Sequence, residues 1–160
     1  MRHVWYYTFP KVELGIIEDN GFITGIFFKR ETGGNLPATG ETPLIRRAAE
    51  QLREYFAGER VRFDLPVLPA GTVFQKRVWE AVSAIPYGET RTYKEIAVKA
   101  GNPQAARAVG MANNRNPVVI VIPCHRVIGH NGALVGYGGG LDVKAYLLGL
   151  ERTAEPFLPP

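Results

Sequence analysis

The chain has 160 residues, 46% hydrophobic and 21% charged, with a formal net charge of +4, enough for one compact domain or two small ones sharing an interface. This composition is ordinary for a soluble globular chain. The single cysteine, Cys124, excludes an internal disulfide framework and multi-cysteine zinc sites, and it suits a reducing compartment.

His3, His125, His130 and Cys124 have spacings that match no common metal pattern, so no metal and no cofactor are expected. No apolar stretch reaches transmembrane length, and Met1-Arg2-His3-Val4-Trp5 lacks the apolar core of a signal peptide. A cytoplasmic, monomeric protein is expected. The charge is lopsided. Residues 1–66 hold nine Lys/Arg and nine Asp/Glu, whereas residues 67–160 hold ten against six. A basic second half points to a polyanionic partner.

In chain order, Leu14, Ile16 and Ile17 precede Asn20-Gly21, and Phe22, Ile23, Ile26, Phe27 and Phe28 follow. Asn-Gly between apolar runs predicts a hairpin, because both residues tolerate positive φ. After a Gly33–Pro37 loop, Thr42-Pro43 predicts a capped helix whose buried stripe is Leu44, Ala48, Leu52 and Tyr55/Phe56, ending at Gly58. Arg46, Arg47 and Arg53 lie off that stripe, on a solvated face. The Pro-rich segment from Leu65 to Gly71 divides an N-terminal α/β domain, 1–66, from a C-terminal domain, 67–160.

Thr72-Val73-Phe74-Gln75 and Thr92-Tyr93-Lys94-Glu95 are capping boxes that each start a helix. Gly101 ends the second, and Asn102-Pro103 begins the next. Two short helices joined by a tight Gly-containing turn form the helix-turn-helix pattern, whose second helix ordinarily enters a DNA groove; simple helix packing is the alternative. Val118–Ile122 reads as a buried strand that Pro123 stops. The turn presents Cys124 beside His125 and Arg126. A lone cysteine is more often a buried structural residue, but this setting favours a reactive thiolate. Asn131-Gly132 offers a second hairpin. The Gly136–Gly140 cluster lacks the ending of a phosphate loop and fits a lid. A last helix runs from about Leu141 to Glu151, and the tail, 156–160, reads as irregular.

Taken together, Phe74-Gln75, Val78-Trp79, Ile85-Pro86-Tyr87-Gly88-Glu89-Thr90, Thr92-Tyr93, Ala105–Gly110, Asn116-Pro117, Ile122–Val127, Gly136–Gly139 and Leu147-Leu148…Glu151 resemble the O6-alkylguanine-DNA alkyltransferases. The resemblance implies an α+β fold. A small N-terminal antiparallel sheet with a helix, RNase H-like, joins a helical C-terminal domain carrying a DNA-binding helix-turn-helix. It also implies an irreversible, single-turnover transfer of the alkyl group from O6-alkylguanine in double-stranded DNA to Cys124. Acceptance of O4-alkylthymine is left open.

By the same resemblance His125 is the base, acting through water, and Glu151 holds its far side. Tyr93 protonates the departing guanine, and Asn116 ties the recognition helix to the cysteine segment. Arg107 fills the gap left by the flipped base in a minor-groove complex, to which Tyr93, Ala106, Gly110 and Arg115 also contribute. Val127 and Cys124 offer carbonyls to the guanine amino group. Tyr137 and Gly138 form the lid, and Lys144 lies near the base pocket. Some relatives carry serine where this chain has Gly138, and some bind zinc in the N-terminal half, where this chain has no cysteine. A binding-only damage sensor of the same family, a transcription factor and a cysteine hydrolase are the alternatives. A transcription factor explains neither Cys124-His125 nor Glu151, a damage sensor of the family carries another residue in place of Cys124, and a cysteine hydrolase would form a thioester that hydroxylamine cleaves where a thioether survives.

Overall fold

A computed structural model describes residues 1–30 and 33–153; the 156–160 tail lies outside the described residues. β1 (Arg2–Phe9), β2 (Val12–Asp19) and β3 (Phe22–Phe28) form an antiparallel sheet in that order. Asn20 (φ 50°) and Gly21 (φ 86°) make the expected turn. α1 (Pro43–Phe56) starts at Thr42, whose Oγ1 accepts from the Ile45 N–H at 3.1 Å. It buries Ile45, Ala48, Ala49, Leu52, Tyr55 and Phe56 on the sheet, while Leu44 is only half-buried. Gly58 (φ 76°) ends it, with the Gly58 and Glu59 amides donating back to Tyr55 and Glu54. Arg46, Arg47 and Arg53 are exposed, each in a surface ion pair of little energetic weight.

The second half closes the open edge of β3. The Ile23 N–H donates to Pro66 (2.7 Å), and the Ile26 N–H donates to Pro117 (2.9 Å). The segment leading to Cys124 is thereby pinned to the N-terminal sheet. α2 (Val73–Ser83) carries the first capping box. β4 (Arg91–Thr92) leads into α3 (Tyr93–Lys99), which carries the second and ends at Gly101 (φ 89°).

α4 (Ala106–Asn114) begins later than Asn102-Pro103 suggests. Asn102 Oδ1 accepts from the Gln104 N–H (3.2 Å) and the Asn102 carbonyl from Ala105 (3.0 Å), so these residues build the turn between the helices. The Trp79 Nε1–H donates to the Ala112 carbonyl at 2.9 Å and anchors α4 on α2.

Two other expectations are corrected. Val118–Ile122 is not a strand. Val118 and Val119 bridge to Ile26, and then Ile120 turns the chain at φ 72°, closed by Val121 N–H to Val119 O at 2.8 Å. A β-branched residue in the left-handed region costs about 1–3 kcal/mol. This run is apolar because Val118 and Ile120 are buried, not because it is extended. Asn131 (φ 61°) and Gly132 (φ 77°) do turn, but no second strand follows. Instead β5 (Val127–Ile128) pairs in parallel with β4. α5 spans Leu141–Thr153. Among the described residues no helix is long and apolar enough to cross a membrane.

Candidate active site

Cys124 opens a single 3-10 turn, Cys124–Arg126, set by Pro123 at φ −82°, ψ 63°. It is 4% exposed. Burial pushes its thiol up to about 11, against smaller downward pulls from Asn116, Lys144 and Tyr137. The expected thiolate is therefore corrected: at neutral pH the group is a thiol. Neither neighbour in the chain lowers it, because His125 is uncharged and the Arg126 guanidinium is paired with Glu151.

Glu151 is where that charge goes. Its buried carboxylate accepts from His125 Nε2 (2.7 Å), Arg126 Nε (2.7 Å), Arg126 Nη2 (3.0 Å), the Tyr55 hydroxyl (2.7 Å) and the Gly88 N–H (3.4 Å). Burial alone would raise its pKa, but His125 and Arg126 overcome this and hold it at about 2. His125 is fully buried, and burial lowers its pKa below the ordinary 6.5, so the ring is neutral at pH 7. With a carboxylate on Nε2, the ring proton sits there and Nδ1 is the basic atom. Nδ1 is buried and has no protein partner. A neutral thiol beside a neutral imidazole backed by a carboxylate can pass its proton only as it reacts.

One prediction follows from these protonation states. The reaction rate of Cys124 should be flat between about pH 7 and 9 and fall only on the acid side, below the ordinary imidazole range, as His125 gains a proton. Single-turnover rates across that range check it. An inflection near 8.5, the ordinary thiol value, would mean that a free thiolate reacts.

Asn116 donates to the Ile122 carbonyl (2.7 Å) and accepts from the Val118 N–H (2.9 Å), fixing both ends of the Ile120 turn. Asn113 was not singled out from the sequence. Its Nδ2 donates to the Cys124 carbonyl at 3.1 Å, and its Oδ1 is buried without a partner. The available signal was a polar residue four positions after Val109, on the inward face of an amphipathic helix.

Over the cysteine lies the 135–140 segment. Lys144 is fully buried and donates to the carbonyls of Val127 (2.6 Å), Val135 (3.1 Å) and Gly136 (3.4 Å). The Tyr93 hydroxyl also donates to Val135 (2.9 Å). Tyr137 packs edge-on against Phe28, and its buried hydroxyl interacts with the Cys124 thiol. Burial and Cys124 raise the pKa of both tyrosines, so both remain proton donors. The Val127 carbonyl thus already holds Lys144, and the Cys124 carbonyl holds both Asn113 and the Val127 N–H of its own turn. A side chain at Gly138 would meet nothing within 4 Å, whereas one at Gly139 would reach 2.9 Å from the Phe28 ring.

Arg107 and Arg115 are not brought to the cysteine. Both are exposed at α4, whose inward residues Val109, Ala112 and Asn113 are buried. Ala106 and Gly110 are half-buried, and a Cβ on Gly110 would lie 3.8 Å from the Tyr93 ring. Among the described residues no cluster of His, Cys, Asp and Glu could hold a metal ion.

The fold and site define a helix-turn-helix protein built around one buried cysteine with a His-Glu relay behind it. The DNA-binding domain model of 6-O-methylguanine DNA methyltransferase matches residues 73–153, and the ribonuclease-like domain model matches residues 4–69. A methylated-DNA–protein-cysteine methyltransferase from Methanosarcina acetivorans is 63% identical over 110 residues, 69% of this chain and 70% of that protein. The constitutive Bacillus subtilis protein of that name is 48% identical over 159 residues, 93% of this chain and 96% of its own. Mycobacterium tuberculosis OGT in complex with DNA superposes with a TM-score of 0.88 at 44% identity, covering 95% of this chain and 94% of that one. The chain belongs to the 6-O-methylguanine DNA methyltransferase family.

Proposed function

We propose that the protein repairs DNA by direct reversal, moving the alkyl group of O6-alkylguanine onto Cys124 in one irreversible step. The observation that carries this reading is the buried thiol beside the unpartnered Nδ1 of His125, with Glu151 fixing the ring from behind. DNA is the partner, supported by the DNA-binding domain match and the solved relative in complex with DNA. The modified base is inaccessible in a duplex and must be flipped out. α4 enters the minor groove, with Arg107 occupying the vacated stack and Ala106, Gly110 and Arg115 against the backbone.

His125 Nδ1 takes the Cys124 proton through a water, and the sulfur attacks the alkyl carbon. The C–O bond breaks, its electron pair moves into the guanine, and Tyr93 supplies the proton that neutralises the leaving base. Tyr137 and Gly138 cover the base, and Lys144 ties that cover to Val127. The product is a thioether with no leaving path, so each chain reacts once.

Intact-protein mass spectrometry with a duplex bearing one O6-methylguanine, followed by peptide mapping, tests this. One methyl on the Cys124 peptide, saturating at one per chain, is expected. Tight binding with no mass gain would mean a damage sensor.

Two substitutions probe the separate parts. Arg107→Ala should slow repair of duplex by about tenfold or more while leaving reaction with free O6-methylguanine nearly unchanged, since a free base needs no flipping. An equal loss on both substrates would remove Arg107 from that role. Gly138→Ser should fold normally, because the space beside it is open. Its hydroxyl can add one hydrogen bond to the guanine O6, raising the single-turnover rate by about fivefold.

A further inference from the structure

The His-Glu relay reaches into the other domain. Tyr55 stands near the end of α1, within the ribonuclease-like segment 4–69, and is fully buried. Its ring is held by Phe56 (5.4 Å between centroids), Phe63 (5.6 Å) and, edge-on, Tyr87 (6.4 Å). That packing calls for an aromatic ring at position 55 and would suit phenylalanine as well. It does not account for the hydroxyl, which crosses to α5 and donates to Glu151 Oε2 at 2.7 Å.

The oxygen it reaches is the one that holds His125. Oε2 accepts from His125 Nε2 at 2.7 Å, Arg126 Nη2 at 3.0 Å and Tyr55, three donors for two lone pairs. Oε1 takes the Arg126 Nε and the Gly88 N–H. Donors on one oxygen compete, so the charge that Tyr55 engages is withheld from the imidazole. A carboxylate that gives less to the Nε2 proton leaves that proton on nitrogen and makes Nδ1 a weaker base. Burial and Glu151 both disfavour a phenolate at Tyr55, so it remains a donor at every pH at which the site works.

We infer that Tyr55 is a positioning residue for the transfer reaction: its hydroxyl, supplied by the N-terminal domain, shares Glu151 Oε2 with His125, fixing the carboxylate and restraining the basicity of Nδ1. The inference deepens the alkyltransferase reading above and rests on it. It gives the N-terminal domain a part in the chemistry of Cys124. The other groups facing the carboxylate and the imidazole are Arg126 from the same turn, Tyr87 from the segment after α2, Tyr137 from the cover and Lys144 from α5. Removing the Tyr55 hydroxyl touches none of them.

The test is Tyr55→Phe in the full-length chain, which keeps the ring contacts and leaves Glu151 its His125, Arg126 and Gly88 donors. Two quantities are followed from about pH 8 to about 4. One is the ring-nitrogen NMR shift of His125, and the other is single-turnover methyl transfer from a duplex containing O6-methylguanine. The His125 midpoint and the acid limb of the rate should both move up by about half a pH unit or more. Phe63→Leu, which disturbs the same aromatic cluster but removes no donor, should leave both in place. A midpoint that stays or falls in Tyr55→Phe, or moves equally in Phe63→Leu, overturns the inference and leaves Tyr55 an interface strut, whatever the plateau rate. Where acid unfolds the variant before the midpoint, the Nε2 proton at pH 7 decides. Freed of a competitor on Oε2, it should move downfield, and no such movement overturns the inference. Failure of the wild-type chain to take a methyl group from the duplex overturns the alkyltransferase reading and this role together. Normal transfer with unmoved midpoints overturns the inference alone.

Discussion

Cys124→Ala is expected to abolish alkyl transfer completely while leaving affinity for an alkylated duplex within about threefold of the wild-type chain. The two halves of this outcome have separate causes. The thiol is the chain's sole sulfur nucleophile of its kind, and no other cysteine can substitute. Arg107 and Arg115 are exposed at α4, and α4 is held by Trp79 and by the packing of Val109 and Ala112, none of which involves the sulfur. The Asn113 bond reaches the backbone carbonyl of residue 124, which alanine retains. Complexes should also persist longer, since the lesion is never removed. Intact mass after exposure to O6-methylguanine duplex, paired with fluorescence anisotropy on the same duplex, measures both. A methyl group still acquired by the variant would place the acceptor elsewhere.

Glu151→Gln should be the most damaging single-atom-scale change in stability. Oε2 receives His125, Arg126 and Tyr55, and an amide nitrogen there can accept from none of them. The Arg126 guanidinium, 7% exposed, would be left with a neutral partner in the interior. Breaking a buried ion pair from one side costs about 3–5 kcal/mol. In a domain of this size that is a fall of about 10 °C in Tm. The transfer rate should drop about a hundredfold or more, because His125 loses the group that selects its tautomer.

The pH dependence carries a signature of its own. Glu151 titrates near 4.5 when unfolded and about 2 when folded. Its charge therefore contributes fully above about pH 5, and the contribution is lost as pH falls towards 2, a change of about 3 kcal/mol. The gap in stability between wild type and Glu151→Gln should narrow by that amount between pH 5 and 2, read from urea melts. A gap constant with pH would mean that the carboxylate is not the charged hub of the site.

Some of this site was legible in the chain because its signals are local. Thr72/Gln75 and Thr92/Glu95 satisfy orphan amides within one turn, so the same four residues that spell a capping box build it wherever they stand. Asn20-Gly21 likewise adopts its turn from its own φ preferences. The Pro123-Cys124-His125-Arg126 turn and Glu151 could be singled out by residue type and order.

Other features lacked any local mark. Tyr55 lies 96 residues from the carboxylate it donates to. Ile120 adopts a conformation its β-branched side chain disfavours, so propensity argues against what the pinned edge of β3 imposes. Asn102-Pro103 is as good a helix start as a turn, and the hydrogen bonds of Asn102 decided for the turn.

The sequence alone determined the helices, the hairpin turn, the family and the atoms able to react, since these rest on short-range sterics, capping and chemical identity. Only the tertiary structure decided their protonation and their partners. Burial makes Cys124 a thiol where its neighbours suggested a thiolate, because Glu151 draws the charge of Arg126 away and the interior disfavours an unpaired ion. Hydrogen-bond partners and desolvation depend on which distant segments meet, and that is a property of the packed chain.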